Sequence, residues 1–274
     1  MEASVVIAVY NRADVLRLVL AGYARQSRND FEIIVADDGS GPDVAAIVEE
    51  ARLRSPFPIQ HLHHEDRGWR KNVMLNNAIR AAETDYLVFT DGDCLPHSLF
   101  VADHLRVREE GYVLCGRRVE MSARWTRRLT RGDVERGRFE RIGLAEWWDG
   151  ISGRAHRIED GLRFESPRLR GILHSHVRGM LGSNFSVHRA AMVAVNGFDE
   201  EYDGPGCGED SDVQYRLERA GLHCRSLRHR AIQYHLHHPR TEVPQRCIDR
   251  FEAAKRAGRI RCRRGLTHET GDDD

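Results

Sequence analysis

Tyr86-Leu-Val-Phe-Thr-Asp91-Gly-Asp93-Cys-Leu-Pro96 decides how the rest of this 274-residue chain is read. Tyr86 to Thr90 is an apolar, aromatic and β-branched run with charge before it and a Gly/Pro turn after it. That pattern predicts a buried strand of a parallel sheet. The run ends in two carboxylates, Asp91 and Asp93, separated by Gly92. In open α/β sheets, ligands bind in the crevice beyond the carboxyl ends of the strands. Two carboxylates held there repel each other unless a hard divalent cation sits between them, and such a cation keeps positions open for the phosphates of a nucleotide. Taken alone, Asp-x-Asp is also the composition of a solvated turn. The neighbouring segments choose between the two.

Upstream, strands and helices alternate. Ser4–Val9 is expected to be a first strand, followed by a helix carrying Val15, Leu16, Leu18, Val19 and Leu20. Phe31–Ala36 is a second strand that ends at Asp37-Asp38-Gly39-Ser40. Val44–Ala51 is helical, Ile59–His61 a short strand, and Arg70–Ala82 a helix leading into the Tyr86 strand. Such alternation predicts an α/β fold with a right-handed, mostly parallel, doubly wound sheet. Asp37/Asp38 and Asp91/Asp93 then face one cleft. No Gly-x-Gly-x-x-Gly follows the first strand, which argues against a dinucleotide site.

Composition sets the limits. Lys plus Arg and Asp plus Glu are both 42, so no excess charge points to nucleic acid. Only Lys71 and Lys255 are lysines; the remaining positive charge is arginine. The six cysteines form no Cys-x-x-Cys pair, and reduced structural thiols in a cytoplasmic protein are expected. The amino terminus lacks a basic leader region and reads as a strand, not a signal peptide. No stretch reaches the roughly 18 apolar residues that a bilayer span needs.

With these residues in place the chain resembles the family 2 glycosyltransferases. The resemblance is carried by Ser4-Val-Val-Ile-Ala-Val-Tyr10-Asn11-Arg12, Asp37-Asp-Gly-Ser40, Asp91-Gly-Asp93 and Gly208-Glu209-Asp210, in that order. It implies a GT-A fold, sugar transfer from a nucleotide-sugar (a UDP-sugar first) and a divalent Mn²⁺ or Mg²⁺ cofactor. Carried over, Asp38 or Asp37 reads the base, Asp91 lies by the ribose and Asp93 ligates the metal, with Tyr10, Arg12 and Gly92 in the donor site. Glu65-Asp-Arg67-Gly68-Trp69-Arg70-Lys71-Asn72 to Asn76 is similar to a family segment with an Arg-Asn pair. Leu75 stands where that Arg would be and Asn76 matches the Asn, leaving Arg70 or Lys71 to supply positive charge. A solvated helix face is the alternative for both.

Arg117 to Arg178 breaks the alternation. Nine arginines lie among four acids between Arg117 and Arg141, with Trp125 and Phe139 interleaved. Arg124–Glu140 is expected to be an amphipathic helix or mobile loop. Trp147, Trp148 and Asn184 are candidate acceptor contacts, since aromatic faces stack on sugars; core tryptophans are the alternative. A basic amphipathic element could also make peripheral membrane contact.

Order returns at Gly179–Val187, expected to be a strand followed by a helix. Gly208-Glu209-Asp210-Ser211-Asp212 opens another helix, with Gly221 as its C-cap. Acids at a helix start are commonly caps. The resemblance instead makes Asp210 the general base of an inverting transfer, with Glu209 and Asp212 binding acceptor hydroxyls or orienting the base. His235-Leu-His237-His238-Pro239 is similar to a galactosyltransferase-like motif in which a histidine completes the metal site; His235 and His238 occupy its two His positions, and His235 is taken as the ligand. His61, His63 and His64 have no such pattern and are expected to be structural. Arg246–Arg264 reads as a basic helix and Thr267–Asp274 as a disordered acidic tail.

The expected organisation is one GT-A domain over 1–240: a nucleotide-binding half (1–100), an insertion (117–178) and a base-motif region (179–240). Residues 241–274 follow as helix and tail. Two rivals remain at this level. A sugar nucleotidyltransferase would want a Gly-rich basic loop after the first strand, which Tyr10-Asn11-Arg12 is not. A non-catalytic sugar-binding module would not need Asp91, Asp93 and Asp210 intact.

Overall fold

The computed structural model describes residues 1–166, 179–239 and 243–268. β1 (Ala3–Val9) alternates as the sequence requires: Val5, Ile7 and Val9 enter one apolar layer and Val6 and Ala8 the other. α1 (Ala13–Tyr23) and α2 (Pro42–Arg52) cover the first face. α3 (Lys71–Ala81) covers the second through Met74, Leu75, Ala78 and Ile79. A strand buried on both faces shows no polar side, which is why the runs read as continuously apolar.

β2 (Phe31–Asp37), β3 (Ile59–His63) and β4 (Tyr86–Asp91) join β1 in the order β3-β2-β1-β4, all parallel. Beyond β4 the sheet continues through strands from later in the chain. After β5 (Cys94–Pro96) and α4 (Phe100–Arg106) come β6 (Tyr112–Cys115) and β7 (Arg117–Glu120). α5 (Ala123–Arg128), α6 (Arg131–Glu135) and α7 (Leu144–Ile151) follow, with short 3₁₀ turns at Arg138–Glu140 and Ile158–Gly161. β8 (Asn184–His188) inserts antiparallel between β4 and β6. It begins later than the expected Gly179, because Met180 to Ser183 form the turn that delivers it. α8 (Arg189–Ala194), α9 (Glu209–Arg219), β9 (His223–Ser226), β10 (Ile232–His235) and α10 (Gln245–Arg256) complete the described elements.

A second sheet, β5-β10-β7, was not foreseen. Its strands have three or four residues each and come from distant parts of the chain, so no local pattern announces it. Leu95, Val119 and Tyr234 pack beneath it on Trp125 and Phe139.

Several expectations are corrected. Arg124–Glu140 is neither one helix nor a loop; it is crossed by two short helices, one capped by Ser122 just before it and one by Thr130. The basic helix stops at Arg256. Thr267 is exposed but tethered, its N–H and hydroxyl donating to Asn196 Oδ1; of the expected tail, 269–274 lies outside the described residues. Cys207 and Cys247 are disulfide-bonded, with Cα atoms 4.8 Å apart, so the six cysteines are not all thiols; Cys94, Cys115, Cys224 and Cys262 are free. The bond closes a 40-residue separation, a pairing that only the fold reveals. Among the described residues no helix is long and apolar enough to cross a membrane.

Candidate active site

Sheet register brings the acids together. Asp37 pairs with Val9 in β2–β1, and Asp91 pairs with Ala8 in β1–β4, so the carboxyl ends of three strands form one rim. Asp38 N–H donates to Val9 O and Gly92 N–H to Ala8 O, extending the rim by one residue on each side. Between the two acids only glycine fits. A Cβ on Gly92 would lie 2.8 Å from Val9 Cγ2 and 3.2 Å from Ala8 O. Across the rim Asn11 and Arg12 both hold left-handed backbone angles, φ 55° and 60°. Such strain in consecutive non-glycine residues concentrates at ligand-binding turns.

Above this rim lies a cleft of about 530 Å³, within the range of small-ligand sites. Tyr10, Arg12, Asp38 and Trp69 line it. So do Lys71, Asp91, Asp93, Arg118 and Glu120, together with Gly182, Ser183, Gly206, Glu209 and Asp210.

The two acids beside Gly92 have different surroundings. Asp91 accepts from Lys71 Nζ at 3.0 Å, and the same ammonium lies 3.6 Å from Glu209. Burial lowers the Lys71 pKa, but Asp91 and Glu209 outweigh it, so the ammonium is held protonated. Burial raises the Glu209 pKa, which Lys71 partly opposes. Asp93 instead faces two imidazoles, with Oδ2 3.5 Å from His235 Nε2 and 3.2 Å from His238 Nε2. The two Nε2 atoms are 3.1 Å apart. His235 Nδ1 sits 2.8 Å from Glu120 Oε2, and Glu120 also accepts from Arg118 Nε at 2.9 Å. Burial pushes the His235 pKa down, but the bonds to Asp93 and Glu120 prevail and raise it to about 9. Burial likewise raises Asp93, and the two imidazoles bring it well below the usual carboxylate range.

These three side chains fit a divalent cation. One carboxylate oxygen and two imidazole nitrogens converge within 4.8 Å of one another. Adjacent ligands of an octahedral ion at about 2.1 Å stand about 3 Å apart, close to the spacings here. Two imidazoles favour Mn²⁺ over Mg²⁺. Glu120 occupies the outer position that fixes the orientation of a ligating histidine.

Asp210 stands in the first turn of α9, opposite this cluster. Gly208, at φ 79°, turns the chain into the helix. Gly182 N–H donates to Asp210 Oδ2 at 3.0 Å, and Ser211 N–H to Oδ1 at 2.8 Å. The carboxylate is half-buried and lines the cleft.

Other candidates lie elsewhere. Asp37 is buried beside the rim, accepting from Ser40 N–H and bonded to His61, and is not a cleft residue. Asp38 is the rim carboxylate of that pair, held by Arg70 N–H and His64. Burial raises its pKa, opposed by those two bonds. His61 and His64 therefore buttress the acids, as structural histidines do. Arg70 contributes its backbone N–H here, and its side chain is not in the cleft. Asn76 is fully buried, clamping Phe198 through both its backbone N–H and its carbonyl. Asn184 is fully buried too, donating to Arg117 O and Ala231 O. Asp212 is buried, its Oδ2 accepting from both Nε and Nη2 of Arg216. Trp147 packs on the core beneath the small sheet and Trp148 is exposed; neither lines the cleft.

Sequence reasoning gave no role to Trp69, Arg118, Glu120, Gly182, Ser183 or Gly206. Trp69 Nε1–H is buried without a partner among the described residues, and the Gly68-Trp69 pair was its only signal. Arg118 and Glu120 lie in the arginine-rich stretch, where nothing distinguishes them from surface charge. His238 had a signal in its three-residue spacing from His235.

Comparison with known proteins agrees with this architecture. The chain is 29% identical over 251 residues to chondroitin synthase of Escherichia coli, covering 87% of this chain and 35% of that protein. It is 30% identical over 267 residues to the uncharacterized glycosyltransferase YfnE of Bacillus subtilis, covering 87% of this chain and 66% of the relative. With validoxylamine A glucosyltransferase of Streptomyces hygroscopicus it shares 31% identity, covering 80% of this chain and 52% of that enzyme. The chain thus spans between about a third and two thirds of these relatives' lengths. Among solved structures, TarS of S. aureus in complex with UDP superposes with a TM-score of 0.61 at 16% identity, covering 97% of this chain and 68% of that one. The mannosyltransferase PcManGT of Pyrobaculum calidifontis, in complex with GDP-Man and Mn²⁺, gives 0.58 at 16% identity, covering 87% and 58%. At that identity the likeness is one of fold, and the fold is GT-A. A profile described as the N-terminal domain of galactosyltransferase matches residues 172–239. The Glycosyl transferase family 2 profile matches residues 4–178, more than half of the chain, and the protein belongs to that family.

Proposed function

We propose that this protein is an inverting glycosyltransferase that moves a sugar from a UDP-sugar to an acceptor hydroxyl. The carrying observation is that Asp93, His235 and His238 share one cleft with Asp210, although Asp93 is remote in the chain from the other three. The nucleotide would lie across the rim, its base toward Asp38 and Tyr10 and its ribose by Asp91. Asp93, His235 and His238 would hold a divalent cation, Mn²⁺ before Mg²⁺. That ion, when bound, supplies Lewis-acid charge for the departing diphosphate. Lys71 and Arg118 place fixed positive charge on the same side of the cleft. Trp69, whose buried N–H has no partner among the described residues, lines the same cleft.

Asp210 would act as general base. Its two backbone N–H partners hold the carboxylate in a fixed orientation toward the cleft. It takes the proton as the acceptor oxygen bonds to the anomeric carbon and the bond from that carbon to the diphosphate oxygen breaks. One displacement of this kind inverts the anomeric centre. Glu209, tied to Lys71, would meet an acceptor hydroxyl.

UDP is preferred because TarS, a structural neighbour, is described with UDP and with UDP-GlcNAc; PcManGT, with GDP-Man, represents the competing nucleotide. Titrating UDP-, GDP- and dTDP-sugars with and without Mn²⁺ tests this. Metal-dependent binding of a UDP-sugar is expected. Tightest binding of a GDP- or dTDP-sugar, or binding indifferent to metal, would overturn the donor or the cation assignment respectively.

A further inference from the structure

Helix α7, Leu144-Ala-Glu-Trp-Trp-Asp-Gly-Ile151, faces the wrong way for a surface helix of a globular protein. Such helices bury an apolar stripe and turn their polar side outward. In α7 only Trp147 among the apolar side chains packs inward, and the fully buried side chain is Asp149, accepting from Ser122 Oγ and paired with Arg124 and Arg154 at 3.1 Å each. Leu144, Trp148 and Ile151, spaced i, i+4, i+7 on one face, are 90%, 60% and 77% exposed. The capping bond from Gly143 N–H to Glu146 fixes the helix start, so the stripe is held rigidly toward solvent.

The charge beside this stripe is unbalanced. Arg127, Arg128, Arg141 and Arg157 are exposed and form no ion pair among the described residues. Arg124 and Arg154 flank the helix against a single buried carboxylate. Of the acids nearby, Glu146 is turned back onto the helix cap and Glu159 is paired with Arg228. An exposed row of Leu, Trp and Ile complements a surface that is apolar beneath and anionic on top: α5, which carries Arg127 and Arg128, touches this helix through Arg124 and Ala145 O, and Arg141 precedes the helix by a few residues.

We propose that the α7 face docks on an anionic lipid bilayer. Leu144, Trp148 and Ile151 enter the boundary between headgroups and acyl chains, and the free arginines meet the lipid phosphates and carboxylates. Tryptophan suits that depth, because its ring is apolar and its N–H stays hydrated. The contact lies outside the cleft and stands whether or not the donor assignment holds.

Co-sedimentation of the full chain with vesicles of phosphatidylcholine, alone or with about 30% phosphatidylserine, tests it. Binding is expected to the anionic vesicles and to weaken at high salt. Leu144→Gln with Ile151→Gln should lower that binding at least about tenfold, with an unchanged melting curve, since both side chains are already solvated. Arg127→Gln with Arg128→Gln should lower it about 25-fold, at roughly fivefold per arginine. Three outcomes would overturn the proposal: no binding to either vesicle, equal binding to both, or a concentration-dependent dimer that the Leu144/Ile151 variant abolishes, which would make the stripe an interface between copies.

Discussion

Asp212→Ala separates a scaffold role from a part in acceptor binding. Asp212 Oδ2 accepts from Arg216 Nε at 2.8 Å and from Nη2 at 2.6 Å. Arg216 Nη1 donates onward to Val195 O at 2.7 Å and Gly197 O at 2.8 Å. Both side chains are about 1% exposed, so the pair ties α9, which carries Asp210, to the loop after α8. Removing the carboxylate leaves a guanidinium buried with only carbonyl partners. Breaking a buried pair from one side costs about 3–5 kcal/mol. At about 2.1 cal/mol/K per residue, a chain of this length has an unfolding entropy of roughly 0.6 kcal/mol/K. The melting temperature should therefore fall by about 5–9 °C. Asp212→Leu with Arg216→Met removes both charges and should recover part of that loss, leaving about 1–3 kcal/mol for the two stranded carbonyls. Differential scanning calorimetry of parent, single and double variants reads each value. If Asp212→Ala melted with the parent and lost only acceptor turnover, the scaffold role would be refuted and the carboxylate would belong to acceptor binding.

Three further outcomes are expected. Asp210→Asn should keep donor affinity by calorimetry while transfer falls about 10²–10⁴-fold, the usual contribution of a general base; full transfer would remove Asp210 from that role. Asp93→Ala and His238→Ala should each weaken Mn²⁺ binding, read by electron paramagnetic resonance of the free ion, by at least about tenfold; unchanged affinity would exclude that side chain as a ligand. Burial pushes the Asp199 pKa up to about 6, with Asp212 adding to it and the Glu201 N–H opposing. An acid raised above its unfolded value of about 3.9 costs nothing below that pH, where both states are protonated, and its penalty grows to full size above about pH 6. Asp199→Asn should thus raise the melting temperature near pH 8 and converge on the parent near pH 4; a pH-independent offset would contradict the assigned cause.

The sheet was legible because its strands are buried on both faces. Runs such as Val5 to Val9 and Ile33 to Ala36 can satisfy their side chains only between two helical layers, and the intervening helices force parallel order. The acids at the strand ends were legible for the same reason: a parallel sheet delivers Asp38, Asp91 and Asp93 to one rim whatever the loops do. The Gly208-Glu209-Asp210 segment could be placed as a helix start from composition alone.

Beyond the rim, assignments by motif went astray wherever a polar residue had two possible employers. Asn76, Asn184 and Asp212 read as ligand contacts, yet each is consumed by buried backbone or side-chain groups that would otherwise lack partners. Trp147 and Trp148 are adjacent in sequence but differently placed: Trp147 packs on the core and Trp148 is exposed. Glu120 and Arg118 reach the site only because β7 pairs with β10 in a small sheet closed between segments more than 100 residues apart. The disulfide from Cys207 to Cys247 has the same origin.

By itself, then, the order of apolar runs and acids determined a parallel sheet with a carboxylate edge, since local periodicity and burial are written residue by residue. Which arginine, glutamate and tryptophan join that edge was decided by tertiary pairing, because contacts between remote, short segments leave no periodic trace in the chain.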